Sequence, residues 1–320
     1  MKCRRCRQPA VVEVRRHNAG FCAACFDHHI KGQVERAIHD FQMMAHDDRV
    51  LVAVSGGKDS LGLWDLLGKL GYDADGVYLG LGIGEYSDES GQMAHAFADA
   101  RGLTLHHIDV REQHGFDIPT GAAAARRAPC AACGLSKRYL VNKVAVESGY
   151  SVVATGHNLD DEAAVLFGNV LHWDVEYILR QGPVLPAEPG FVKKVKPLVR
   201  VGEREMAAYC VLRGIDYIVE ECPMVEGNTG LRYKDTLNAV ENASPGTKAA
   251  FYLGFLDRAA PVLRAGAASE GPGLVPCSEC GYPTVAPADG AAPVCAFCRL
   301  QTRATTAVPA PRRRTGGLGA

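Results

Sequence analysis

The stretch Arg49-Val-Leu-Val-Ala-Val-Ser-Gly-Gly-Lys-Asp-Ser60 constrains this chain more than any other. Val50 to Val54 is a continuous apolar, β-branched run, the mark of a strand buried on both faces of a parallel sheet. A helix follows it: Leu61, Leu63, Leu66, Leu67 and Leu70 form the core face, and Gly71 stops it. Between strand and helix lie Ser55 to Ser60, where two consecutive glycines let the backbone turn sharply and aim several N–H groups at one point. The helix beginning near Ser60 adds the positive end of its dipole, and the geometry binds an anion. It is not the Walker loop, which needs Ser or Thr directly after Gly-Lys; here Asp59 follows Lys58.

The 320 residues, 47% hydrophobic and 22% charged, provide material for one large α/β core with small appendages. No apolar run reaches the roughly 20 residues that span a bilayer, and no signal segment follows the opening Met-Lys-Cys-Arg-Arg-Cys, so a cytoplasmic location with no membrane partner is expected. The formal net charge is −1, but basic residues cluster in the first 36 residues, at Lys193, Lys194, Lys196, Arg200 and Arg204, and at Arg299, Arg303 and Arg312–Arg314. Such local patches suit nucleic acid even in a chain of balanced charge, with ordinary solvated faces as the alternative.

Twelve cysteines in a chain without a signal segment point to metal rather than disulfides. Cys3, Cys6, Cys22 and Cys25 form two Cys-x2-Cys pairs fifteen residues apart, the spacing of a four-thiolate zinc site. Cys277, Cys280, Cys295 and Cys298 repeat the pattern with fourteen residues between pairs. Modules this short cannot bury enough core to fold alone, so the ion supplies the missing folding free energy. His28 and His29 read as surface residues.

A helix is predicted from Gln33 to about His46, with Val34, Ala37, Ile38, Phe41 and Met44 on its apolar face. Ala74–Leu79 is a second strand, ending in the glycine cluster Gly80–Gly84, which keeps backbone thin where an adenosine lies near the carboxyl ends of the strands. A helix over Ser87–Arg101, a strand over Thr104–Val110 and a loose alanine-rich connection to Ala128 follow. Cys130 and Cys133 have no partner pair nearby, so a third ligand comes from far along the chain. Cys222, just after a predicted strand Asp216–Val219, is preferred to Cys210, which sits in a helical pattern where a buried structural thiol is the commoner role. Three thiolates suit an iron–sulfur cluster with one iron open, with a lone zinc as the alternative. Lys137 stands one turn beyond Cys133, on a helix read as opening at Gly134. The strand Ser151–Thr155 leads into Gly156-His-Asn-Leu-Asp160-Asp161-Glu162, where adjacent carboxylates call for a metal or cationic partner. That makes Asp161 a partner of Asp59, with helix N-capping as the other reading of Asp160. A basic strand Val192–Leu198, a helix Glu203–Leu212 and the strand Asp216–Val219 are expected to complete the sheet, with two helices over residues 230–260 split at Ser244-Pro245-Gly246.

Ser55-Gly-Gly-x-Asp-Ser60 resembles the PP-loop of ATP pyrophosphatases, and the combination with both cysteine modules, Cys130, Cys133, Thr155–Glu162 and Cys222 is similar to the TtuA type of tRNA 2-thiouridine synthetase. The resemblance covers residues 1 to about 300 and implies a doubly wound, mainly parallel α/β sheet flanked by two small zinc-binding modules. The expected organisation is an N-terminal zinc finger over residues 1–30, a PP-loop catalytic domain over 31–265, a C-terminal zinc finger over 274–300 and a disordered tail over 303–320. It further implies ATP contacts at Ala53, Ser55, Gly56, Gly57, Lys58, Asp59, Ser60, Leu79, Lys137, Gly156 and Asp161, with Asp59, Lys137 and Asp161 catalytic and Asp59 acting through Mg2+. A 4Fe-4S cluster on Cys130, Cys133 and Cys222, two Zn2+ and a homodimer complete the implied set. The implied reaction adenylates the C2 oxygen of a tRNA uridine and replaces it with sulfur held on the cluster. The sulfur comes from a ubiquitin-like carrier protein with a C-terminal thiocarboxylate, or from free sulfide. Two other readings compete: an amidotransferase-like or cytidine-thiolating PP-loop enzyme, whose cytidine branch is not expected to have both terminal zinc modules, and a non-catalytic zinc-dependent RNA-binding scaffold that has kept an ATP site. The arginine-rich tail departs from the family pattern.

Overall fold

A computed structural model describes residues 1–225, 229–266 and 273–306. The chain opens with a small antiparallel hairpin of β1 (Val12–Val14) and β2 (Ala19–Phe21), followed by α1 (Ala23–Asp40). That helix starts ten residues earlier than the periodicity predicts and stops at Asp40 instead of His46, because Cys22 serves as its N-cap and the second cysteine pair is wound into its first turn. Next come β3 (Arg49–Val54), α2 (Lys58–Lys69), β4 (Asp73–Gly80), α3 (Gly84–Asp99), β5 (Leu105–Asp109), α4 (Val110–His114), α5 (Ile118–Ala124), α6 (Pro129–Glu147), β6 (Val152–Thr155), α7 (Leu159–His172) and α8 (Val175–Arg180). The chain continues through β7 (Val184–Leu185), β8 (Lys193–Val195), a 3-10 turn over Pro197–Arg200, α9 (Glu203–Arg213), α10 (Thr229–Ala243), α11 (Thr247–Gly254), a π-helical stretch over Phe255–Ala259 and α12 (Ala260–Ala265). It ends in β9 (Leu274–Pro276), β10 (Pro283–Val285) and α13 (Ala296–Thr306).

The central sheet has the order β5-β4-β3-β6-β8-β7, parallel throughout except for the short edge strand β7. Side chains alternate across it with the period of a strand. Val50, Val52 and Val54 belong to one hydrophobic cluster together with Leu61, Leu63, Trp64, Met206 and Tyr209; Leu51, Val77 and Val153 belong to another with Tyr139, Leu140 and Ala145. Each terminal cysteine module joins a different cluster. Cys3, Phe26 and Ile30 are part of the first, while Cys277, Cys295, Cys298 and Phe297 are part of the second. The modules therefore flank the sheet on opposite faces as extensions of its core.

Several expected elements differ. Asp216–Val219 is not a strand: the sheet edge beyond β8 is taken by β7, and the segment instead crosses the glycine loop, with the Ile218 N–H donating to the Gly56 carbonyl at 3.0 Å. The basic strand shrinks to Lys193–Val195 because Pro197 cannot donate to a ladder and starts a 3-10 turn. The connection to Ala128 holds α4 and α5, each N-capped by an aspartate side chain, Asp109 and Asp117. Residues 303–306, expected in a disordered tail, complete α13; the rest of that tail and the linker 267–272 lie outside the described residues.

Candidate active site

The order of the sheet reverses between β3 and β6, and a crevice opens at the carboxyl ends of strands flanking such a reversal. The loop after β3 and the loop after β6 both enter it. Gly56 has φ +76° and its Cα faces the Ser90 carbonyl so closely that no Cβ fits, so only glycine makes this turn. Ser60 Oγ holds the loop from inside, accepting from the Ser55 N–H at 3.0 Å and donating to the Gly57 carbonyl at 3.0 Å. Gly156 lies against the same loop; a Cβ there would stand 2.8 Å from the Ser60 nitrogen and 2.9 Å from the Asp59 carbonyl carbon.

Asn158 couples the two loops. Its carboxamide oxygen accepts from the N–H groups of Asp160 (2.9 Å) and Asp161 (3.2 Å), its Nδ2 donates to Asp59 Oδ1 at 3.2 Å, and its own N–H donates to Asp161 Oδ2 at 3.0 Å. This is a capping box, so the N-cap of α7 is Asn158, not Asp160. Asp160 is 5% exposed and turns inward, where the Lys248 ammonium and the Glu203 N–H satisfy it.

Around Asp59 and Asp161 charges alternate. Lys58 Nζ lies 3.0 Å from Asp59 Oδ2 and 2.9 Å from Glu203 Oε1; Lys234 Nζ lies 2.6 Å from Asp161 Oδ1 and 3.3 Å from Glu203 Oε2. Burial, reinforced by the Asp161 charge, pushes the Asp59 carboxyl above the ordinary aspartate range, although Lys58 and the Asn158 bond oppose it. Burial alone would lower Lys58 and Lys234, but the carboxylates beside them outweigh it and hold both ammonium groups above the ordinary lysine value. Three carboxylates against two ammonium groups leave the set one charge negative beside a loop built for anions. A metal cation brought in with a phosphate matches both halves.

α6 opens at Pro129 rather than at Gly134, so Cys130 and Cys133 occupy its first turns. Lys137, exposed one turn further along α6, bears on the Cys133 thiol electrostatically. Burial raises the Cys133 thiol, Lys137 opposes it, and the charges of Cys222 and Cys130 add to the rise. Cys130 Sγ reaches the Met224 carbonyl at 3.5 Å, beside Cys222, and burial together with Cys222 and Cys133 raises the Tyr86 phenol. Cys210 is buried, donates to the Lys58 carbonyl and is pushed up to about 12 by burial, an inert thiol behind the loop. Ala53 and Leu79 are the next-to-last residues of the adjacent strands β3 and β4, with both side chains toward the α6 face.

In each terminal set the four sulfurs lie within 4.8 Å of one another. The pairs Cys6–Cys22 (3.5 Å), Cys280–Cys295 (3.8 Å) and Cys277–Cys298 (4.0 Å) bracket the roughly 3.8 Å separation of thiolates bound at about 2.3 Å to one tetrahedral ion. Backbone donors lower Cys3 and Cys277 to about 6, against the burial of Cys277, so both favour the thiolate that a metal binds. His29, expected at the surface, is half-buried and stacks on Phe21. Among the described residues Cys130, Cys133 and Cys222 do not form so tight a set.

Asn158, Glu203 and Lys234 were missed by the sequence reading as site residues. Asn158 carried a usable signal, the Asn-x-x-Asp spacing of a capping box ahead of an apolar helix; Glu203 and Lys234 had none, being charged residues on polar helix faces.

Residues 2–27 match the family described as the N-terminal LIM domain of 2-thiouridine synthetase TtuA, and residues 26–233 match the PP-loop domain family. The chain is 51% identical over 300 residues to the tRNA-5-methyluridine(54) 2-sulfurtransferase of Thermus thermophilus, covering 94% of this chain and 91% of that protein. It is 40% identical to the protein of the same name from Pyrococcus horikoshii, covering 94% and 93%. Among solved structures, the U34-tRNA thiolase NcsA from Methanococcus maripaludis, with its 4Fe-4S cluster, superposes with a TM-score of 0.77 at 25% identity, covering 94% of this chain and 96% of that one.

Proposed function

This chain belongs to the TtuA family of PP-loop tRNA 2-thiouridine synthetases, and from that membership we propose how its own residues divide the work of the reaction. It is a tRNA 2-thiolating sulfurtransferase. We assign it 5-methyluridine at position 54, because the relatives named for that base are 51% and 40% identical while the thiolase named for U34 is 25% identical.

The C2 carbonyl of a uridine resists substitution until its oxygen becomes a leaving group. In our reading that oxygen attacks the α-phosphorus of ATP, the bond from that phosphorus to the bridging oxygen breaks, and pyrophosphate departs into the Ser55–Ser60 loop. There the loop N–H groups and the N-terminus of α2 meet its charge. Lys58 and Lys137 donate to phosphate oxygens, and Ala53, Leu79 and Gly156 line the adenosine. Asp59 and Asp161 would hold Mg2+, which when bound offsets charge on the phosphates. Cys130, Cys133 and Cys222 would hold a 4Fe-4S cluster, whose contribution when bound is to carry sulfur beside the activated base. Sulfur addition at C2 breaks the bond to the adenylated oxygen, and AMP leaves with that oxygen. Each terminal four-cysteine set would hold a Zn2+ with a folding role. A sulfur carrier with a C-terminal thiocarboxylate or free sulfide as donor, a homodimer and a cytoplasmic location belong to the same reading. Among the described residues, no helix is long and apolar enough to cross a membrane.

One observation supports the reading: the anion loop and the Asp59–Asp161 charge set meet at the carboxyl ends of β3 and β6, and the segment leading to Cys222 crosses that loop through the Ile218 N–H bond to the Gly56 carbonyl. Anaerobically purified protein with ATP and tRNA should release AMP and pyrophosphate only when tRNA is present, and digested tRNA should contain the 2-thio nucleoside by mass. AMP formation indifferent to tRNA would reject the proposal.

A further inference from the structure

The basic run Lys193, Lys194, Lys196 and Arg200 is answered at three of its four positions. Lys193 Nζ donates to the Gln42 carbonyl (2.8 Å), Lys196 to Glu162 (2.8 Å) and Arg200 to Asp40 (2.7 Å). Lys194 is different. Strand alternation sends it to the opposite face of β8 from buried Val195, and among the described residues it makes no hydrogen bond or ion pair. Burial disfavours its ammonium form, and the charge acting on it is another cation, Arg138 of α6. Arg138 likewise has no hydrogen bond or ion pair there. Both side chains border a cavity of about 340 Å³ between α6, β8 and the C-terminal cysteine module. Its walls include Tyr139, Phe191 and Tyr282, with the Tyr282 ring centroid 4.7 Å from that of Tyr139 and 5.2 Å from that of Phe191. No carboxylate lines it, and Cys295 of the C-terminal thiol set is part of its wall.

A half-buried ammonium without a partner is costly unless an anion reaches it, and exposed Arg138 at the mouth of the same cavity is a second donor for that anion. We propose that this cavity is a nucleotide subsite, gripping one phosphate of the RNA substrate between Lys194 and Arg138 and a base or ribose against Tyr282 and Phe191. Cations beside partly exposed aromatic rings, here Tyr282 and Phe191, are how proteins hold unpaired nucleotides, and the volume is at the small end for a bound molecule, sized for one nucleotide. Arg138 lies five residues beyond Cys133 on the same helix, about 7.5 Å along its axis. The proposal rests on the reading of the chain as a tRNA thiolase.

Full-length, metal-loaded protein is titrated with an unmodified tRNA transcript at several salt concentrations. The double variant Lys194→Gln/Arg138→Gln should bind tRNA about 10-fold more weakly, with the slope of log affinity against log salt reduced by about 1 and ATP affinity unchanged. Lys194→Arg should retain affinity. The double variant should melt no lower than wild type, because neither side chain makes a hydrogen bond or ion pair among the described residues, and ultraviolet cross-linking of the wild-type complex should mark the peptide containing Tyr282. Unchanged tRNA affinity and slope in the double variant, with wild type binding normally, overturns the subsite and leaves the thiolase reading intact. Unchanged tRNA binding with loss of affinity for an acidic sulfur-carrier protein overturns it in favour of a protein contact. Failure of wild type itself to bind tRNA removes both the subsite and the reading beneath it.

Discussion

Lys234 and Asp59 show how little room the crevice leaves for a neutral change. Lys234 is the cation nearest Asp161 and shares Glu203 with Lys58, so its loss leaves Asp161 without its ion-pair partner and the set more negative. Lys234→Met is expected to cut tRNA-dependent AMP formation by roughly 10²-fold, the scale of one lost charge-stabilising donor, while the melting temperature changes little. Normal AMP formation in that variant would remove Lys234 from the site. Asp59 is raised by burial first and by Asp161 second, so it keeps its proton to a higher pH than an ordinary aspartate and sheds its metal-binding form as pH falls through that raised value. Neutralising the neighbour in Asp161→Asn should lower the Asp59 pKa, read by carboxyl carbon NMR. An unchanged or higher value would show that the two carboxylates do not act on each other.

At the scale of elements, α10 and α11 reach the site by packing on α7. Lys248 of α11 bonds Asp160 and Asn238 within the protein, with its side chain only 10% exposed and that of Asp160 7% exposed. Truncating one partner of a buried pair leaves an uncompensated charge, so Lys248→Met should destabilise the protein by about 3–5 kcal/mol in urea unfolding. Lys248→Met/Asp160→Asn should recover part of that loss. If the single variant is as stable as wild type, the pair does not anchor α11. Cys222 and Ile218 belong to this scale as well: by running across the glycine loop instead of joining the sheet, their segment brings a thiol from far along the chain to the mouth of α6.

For the molecule as a whole, the N-terminal module is continuous with the core, because α1 runs from the first cysteine set into the cluster that holds Trp64 and Tyr209. A structural zinc contributes roughly 10–16 kcal/mol of apparent binding free energy, as much as a domain's net stability. Cys25→Ala, or chelation, is therefore expected to lower the melting of the entire protein in one transition, followed by far-ultraviolet circular dichroism with zinc content measured in parallel. A separate, low-temperature step for the module, with the main transition unmoved, would contradict that continuity.

The local chemistry was legible in the chain because it depends on neighbours in sequence: the β-branched run and paired glycines at Val50–Ser60, the Cys-x2-Cys pairs, and the carboxylates after β6 each state their geometry within a few residues. The family resemblance followed from their combination. Element ends were read less well, as at α1 and α6, since a cysteine or proline at the first turn outweighs the apolar period further on. Only the tertiary structure decided that Asp216–Val219 lies across the loop, that Lys234 pairs with Asp161, and that Lys194 and Arg138 line one cavity with neither in an ion pair among the described residues. Those arrangements depend on which distant side chains compete for the same buried charge, and that competition is settled by packing across the sheet, which leaves no periodic trace in the order of residues.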